Sequence, residues 1–179
     1  MTTAPTTATT ATTTAPTTLD TRATDAGLLV LRLGFGLLLA VHGTQKLFGW
    51  FGGFGWSATA QAFDGMGYNP GKFFGTLAGL SEIGGGLLLA AGLLTPLGAA
   101  IALGTMLNAF TATWSGGFAQ WEMSVLFALP AAALAFTGPG RYSLDHNRPW
   151  QRHGLTWAGA AIALAVIAGL ITLAAKWAL

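Results

Sequence analysis

The chain has 179 residues, of which 53% are hydrophobic and only 8% charged, with a formal net charge of +2 and no cysteine. Soluble domains carry about 25% charged residues, so this composition is that of an integral membrane protein, and the small net charge without a Lys/Arg cluster excludes a nucleic-acid partner. Lack of cysteine removes disulfides, thiolate metal ligands and any dithiol relay, so electrons in any redox chemistry must travel on a bound cofactor or a partner.

Residues 1–18 are almost entirely Thr, Ala and Pro. Such a segment cannot bury enough apolar surface to offset its chain entropy, and it lacks the basic start and apolar core of a signal peptide. A disordered tail is therefore expected over 1–24. Residues 27–49, GLLVLRLGFGLLLAVHGTQKLFG, are long and apolar enough to cross a bilayer, which takes about 20 residues. Yet they carry Arg32, His42 and Lys46, and a cation near the bilayer centre costs roughly 2.5–3.5 kcal/mol. At 3.6 residues per turn, Gly36, His42, Gly43 and Lys46 all fall within about 80° of Arg32. The polar groups thus form one stripe, with small residues that admit a neighbouring helix. Arg32 and Lys46 lie near the ends, where their stems can snorkel; His42 lies deeper.

The aromatic run Trp50, Phe51, Phe54, Trp56 and, further on, Tyr68 reads as a belt at the membrane surface, with a short interfacial helix over 57–66. The accompanying glycines lack the Lys-Ser/Thr pair of a phosphate cradle. A second span, about 73–94, places Gly75, Gly79, Glu82 and Gly86 on one face, a small-residue stripe with a carboxylate in its middle. After the Thr95-Pro96 turn comes a third span, about 97–114, whose strongest polar group is Asn108. A fourth, about 121–138, opens with Trp121-Glu122 and contains Pro130, which is expected to kink it. The polar loop 138–154 holds Arg141, Arg148 and Arg152, and a fifth apolar run, about 155–177, reads as an anchoring or lipid-facing helix. The three arginines of that loop outweigh Lys72 and place it, with the N terminus, in the cytoplasm and the C terminus outside.

Counting about 1.5 Å of depth per residue from the cytoplasmic ends puts His42 near 22 Å, Glu82 near 18 Å and Asn108 near 17 Å, with Arg32 near 8 Å and Lys46 near 28 Å. His42, Glu82 and Asn108 are thus level in the outer half of the membrane, with Glu122 and Lys46 just above. A carboxylate in hydrocarbon either takes up a proton or finds a cation. Glu82 is expected to pair with His42, with Lys46 or Arg32 reaching toward them. The alternative is that the polar set only fastens helices together, although intramembrane hydrogen bonds average about 0.6 kcal/mol, a poor return on a buried charge. One intramembrane histidine cannot make a bis-His haem site, and one His with one Glu is too few for a metal centre. What remains is hydrogen bonding to a lipophilic ligand with a polar head, near a pair able to move a proton. A quinone fits that description, as do other small molecules.

The runs Arg32-Leu33-Gly34, His42-Gly43-Thr44-Gln45-Lys46-Leu47, Gly79-Leu80-Ser81-Glu82-Ile83-Gly84-Gly85 and Gly138-Pro139-Gly140-Arg141-Tyr142-Ser143-Leu144-Asp145, in that order, resemble the DoxX family of small bacterial membrane proteins. The resemblance covers about residues 28–146. It implies an all-α, four-helix membrane bundle, here over 25–146, with polar residues gathered between helices one and two. Residues 147–179 add a loop end and a fifth transmembrane helix. Family relatives include a subunit of thiosulfate:quinone oxidoreductase and members of oxidative-stress complexes in the bacterial cell membrane. By that resemblance Glu82 and His42 are candidate catalytic residues, and Arg32 and Lys46 candidate ligand-binding ones; Asn108 and Glu122 join them from the depth estimate. The expectation is a membrane redox subunit that binds quinone, holds no covalent cofactor and works with a redox partner protein. Its alternatives are a non-enzymatic anchor for soluble oxidoreductases and a small-molecule transporter.

Overall fold

The computed structural model describes residues 18–178. Helix α1 spans Thr18–Phe48, α2 Gly55–Gly65, α3 Gly71–Ala91, α4 Thr95–Thr113, α5 Phe118–Thr137 and α6 Leu155–Ala178, with a 3₁₀ turn at Trp50–Gly52. All but α2 are long and apolar enough to cross a membrane. The tail expected over 1–24 lies outside the described residues as far as residue 17; the helix already includes Thr18 to Thr24, whose Leu19, Asp20 and Arg22 depart from the Thr/Ala/Pro composition before them.

The bundle is assembled on glycines. A Cβ placed on Gly36 would lie 2.5 Å from the Gly86 carbonyl oxygen, and one on Gly43 would lie 2.5 Å from the Gly79 carbonyl oxygen. Position numbers rise along α1 as they fall along α3, so the two helices are antiparallel, touching backbone to backbone at two points seven residues apart. Gly75, Gly79, Glu82 and Gly86 are all buried, as the stripe on that helix requires. Gly85 instead faces Ile101 and Ala102 of α4, so α3 is clasped from both sides. Helix α6 lays Ala158, Ala161, Ala165 and Gly169 inward, with Ala165 against Gly104 of α4. Leu164, Ile167, Leu170 and Ile171 point out. The last helix therefore faces lipid on one side only, and its alanine face is part of the core. The α5 helix continues through Pro130.

Trp50, Phe51, Phe54 and Trp56 are exposed beside α2, where a membrane-surface belt belongs. Tyr68 is not among them: it is 2% exposed, wedged edge-on against Phe63 and Phe74.

At the other end of the bundle two buried charges serve the α3–α4 turn. Gly92 ends α3 in the left-handed conformation, with Leu93 N–H donating to Leu88 O at 2.9 Å. Leu94 also takes a left-handed φ of 46°, which is costly for a side chain with a Cβ. Asp145, fully buried, holds it. Its carboxylate accepts from Leu94 N–H (2.9 Å), Thr95 N–H (3.0 Å), Thr95 Oγ1 (2.9 Å) and Trp150 Nε1 (3.0 Å). It caps α4 from 50 residues away, a negative charge at a helix N-terminus. Arg32 does the converse, its buried guanidinium donating to Ala90 O in the last turn of α3, where a cation is favourable.

Two substitutions test this frame. Asp145→Ala strands four donors, and at a cost on the order of 3 kcal/mol it should markedly lower the thermal unfolding midpoint in detergent. Gly86→Leu should abolish recovery of monodisperse protein, whereas Gly34→Ala, with nothing within 4 Å of its new Cβ, should leave it unchanged.

Candidate functional site

The α1–α3 contact brings together the last turn of α1 and the middle of α3. In an antiparallel pair, side chains on the two helices lean toward opposite ends, because each Cβ tilts toward its own N-terminus. Lys46 leans back along α1 while Glu82 leans up α3, and they meet. Lys46 Nζ donates to both carboxylate oxygens of Glu82, at 2.7 and 2.9 Å. Glu82 is 5% exposed and Lys46 28%. The partner of Glu82 is thus Lys46, and the pairing expected with His42 does not form. His42 lies near the right level but turns toward α5, with its ring edge-on to Phe127 at 5.2 Å. Depth was legible; direction around the helix was not. The longer Lys46 stem makes up the offset that an imidazole cannot span.

Arg32 is also absent from the cluster. It lies 14 residues before Lys46 on the same helix, about 21 Å away along the axis, occupied with the end of α3. Glu122 is half-exposed at the head of α5 and lines neither of the two cavities described below.

The larger cavity, about 370 Å³, starts at the ion pair. Its floor is α4, from Ala100 to Thr113; one wall is α3 and the other is α6 at Ala168, Gly169 and Thr172. Helices α3 and α6 each pack on α4, so the cavity is a groove floored by α4 and open between two helices of membrane-spanning length. Phe63 and Met66 close it at the α2 end together with Tyr68. That lid is tied down by Thr59 Oγ1, which donates to Lys46 O at 3.0 Å, and by Asp64, whose Oδ1 accepts from Gly71 N–H. Lys176, near the end of α6, sits 4.2 Å above the Tyr68 ring, a cation–π clamp across the groove end.

The lining is mostly apolar, with a few polar groups beside the ion pair. Asn108 Nδ2 donates to Gly104 O at 3.0 Å, which leaves Oδ1 as a buried acceptor. Among the described residues, that atom, the Tyr68 hydroxyl and, away from the groove, Arg32 Nε are buried without a partner, which is uncommon in folded proteins. Asn108 was legible as the polar residue of its span; Tyr68 was hidden among surface aromatics, its one signal being a position directly before Asn69-Pro70. A second cavity, about 120 Å³, is also lined by Lys46 and Glu82, and adds His42 and Ser124. Among the described residues no three His, Cys, Asp or Glu side chains gather into a metal-binding group.

Most of the wall is hydrocarbon and the Lys46–Glu82 pair is already matched, a lining better suited to an uncharged, mostly apolar molecule than to a free ion. The DoxX family model matches residues 27–116, which hold α1–α4, the ion pair and the groove floor, but stop short of the Gly138–Asp145 segment. The chain is similar to "Inner membrane protein YqjF" of Escherichia coli (strain K12), 36% identical in a 135-residue alignment that covers 70% of this chain and 96% of that one. No solved structure gives a significant match. On the family match and the five membrane-length helices together, this chain is a membrane protein of the DoxX family.

Proposed function

We propose that the chain is the quinone-binding membrane subunit of a redox system whose electrons come from a partner protein. The observation that carries this reading is the lipid-facing groove ending on Lys46 and Glu82. A quinone reaches its site from the acyl chains, and the groove offers such a molecule a lateral entrance with a polar terminus. Its reduction takes two electrons and two protons, and with no cysteine in the chain the electrons must arrive on a bound cofactor or a partner. Lys46 would donate a hydrogen bond to an oxygen of the ring and stabilise negative charge there. Glu82 would hold or release a proton beside it, and Asn108 and Tyr68 would orient the head of the ligand.

The same reading takes the face carrying Arg141, Arg148 and Arg152 as cytoplasmic, with the groove in the outer half of the membrane. An alkaline phosphatase fused to the C terminus should then be active in whole cells; an inactive fusion beside an active cytoplasmic reporter reverses the orientation.

Purified protein should retain quinone in mild detergent or bind an added short-tailed quinone. Losing the charge-assisted bonds of Glu82→Gln should weaken that binding about tenfold or more. Full binding by Glu82→Gln and by Tyr68→Phe, or none by the wild type, excludes the reading. Stability should separate from binding. Lys46→Leu leaves a carboxylate 5% exposed without its cation and should cost about 3–5 kcal/mol. Glu82→Leu frees a lysine that can reach solvent and should be tolerated, and the double Leu variant should recover folded protein while still failing to bind.

A further inference from the structure

Glu82 and Lys46 form part of the wall of both cavities. On one side lies the groove between α3 and α6. On the other lies the smaller chamber between α1, α4 and α5, lined by Leu39, His42, Met106, Ser124 and Phe127. Met123, also in its lining, is 50% exposed and lies within two turns of the head of α5, the end where Trp121 and Glu122 stand. Four polar side chains face a volume of about 120 Å³, room for several waters at about 30 Å³ each, with the two to four polar partners a water requires. The groove, by contrast, is open to hydrocarbon.

We propose that the smaller chamber is a water-filled port that brings water, and with it protons, to Glu82 from the side opposite the ligand groove. His42 and Ser124 hold that water. Contact with Phe127 at 5.2 Å holds the His42 ring at the wall of the chamber, and Ser124, 7% exposed, supplies a hydroxyl on the facing helix. The arrangement separates two traffic routes. A lipophilic molecule comes to the ion pair laterally, and protons come through the α1–α5 side without crossing the ligand. Only the use made of those protons rests on the quinone reading; the hydration of the port does not.

The absence of native cysteine makes the test clean. Ser124→Cys and Met106→Cys each place a single thiol in the chamber, Ser81→Cys places one in the groove, and Leu126→Cys, at a position 59% exposed on the lipid face, is the control. In lipid nanodiscs, 2-aminoethyl methanethiosulfonate reacts with thiolate, which forms only where water is present. Both chamber cysteines should react at least about tenfold faster than Leu126→Cys, Ser81→Cys on the hydrocarbon side should react as slowly as that control, and a short-tailed quinone should leave Ser124→Cys unaffected. Chamber cysteines as slow as the control, or Ser124→Cys protected by quinone, overturn the port. Fast chamber cysteines in a protein that binds no quinone leave the port standing and remove the quinone reading. The proton role has its own readout. With reduced methyl viologen, which gives up one electron and no proton per molecule, two equivalents reduce the bound quinone as two protons are taken from water. Read by a pH-indicating dye, filling the chamber by Ser124→Leu should slow that proton uptake without changing quinone affinity, and an unchanged rate denies the chamber that role.

Discussion

Everything in this bundle follows from how closely α1 and α3 approach. Gly36 against Gly86 and Gly43 against Gly79 leave no room for a side chain, and in a bilayer, where apolar surface has no preference for protein over lipid, such backbone contact is a principal source of helix association. It also sets the register that puts Lys46 within reach of Glu82. A buried ion pair must recover the cost of removing both charges from water, which takes near-ideal geometry. Here the ammonium bridges both carboxylate oxygens.

The buried charges fall into two kinds. Arg32 and Asp145 are spent on backbone: one sits at the C-terminal end of α3, the other at the N-terminal end of α4, and each faces the helix pole of opposite sign. Their presence in an apolar protein is explained by the turn between those helices. Lys46 and Glu82 serve no helix end. Glu82 lies mid-helix, its bonds among the described residues run to Lys46, and two well-packed leucines would fill the same space with no desolvation cost. A charge pair that caps no helix end stands where two cavities meet, which makes it the candidate site. The resemblance alone would not distinguish Arg32 from Lys46; the contacts do.

Much of the fold was legible because membrane spans are written in length and composition. The five apolar runs, the short helix after the first and the glycine stripe containing Glu82 stand where the sequence placed them, within a few residues save that α1 starts nine residues before the first run. Helix depth was legible too, since a constant rise converts numbering into height. What escaped was anything that depends on rotation about an axis or on distant chain. His42 and Lys46 share a stripe, yet only one reaches Glu82. Tyr68 sits in an aromatic-rich segment but turns inward, and no local pattern marks that difference. Asp145 looked like a loop residue because its four donors come from Leu94, Thr95 and Trp150, most of them fifty residues earlier. The last helix, uniform in hydrophobicity, concealed an alanine face that only a partner helix makes meaningful.

That last helix lies beyond the stretch that the family model covers, yet it supplies one whole bank of the groove and, through Lys176, a strap over Tyr68. The charged couple thus lies inside the family-matched stretch and one bank of the groove outside it, so that exchanges along the inner surface of α6 reshape the groove while leaving Lys46 and Glu82 in place.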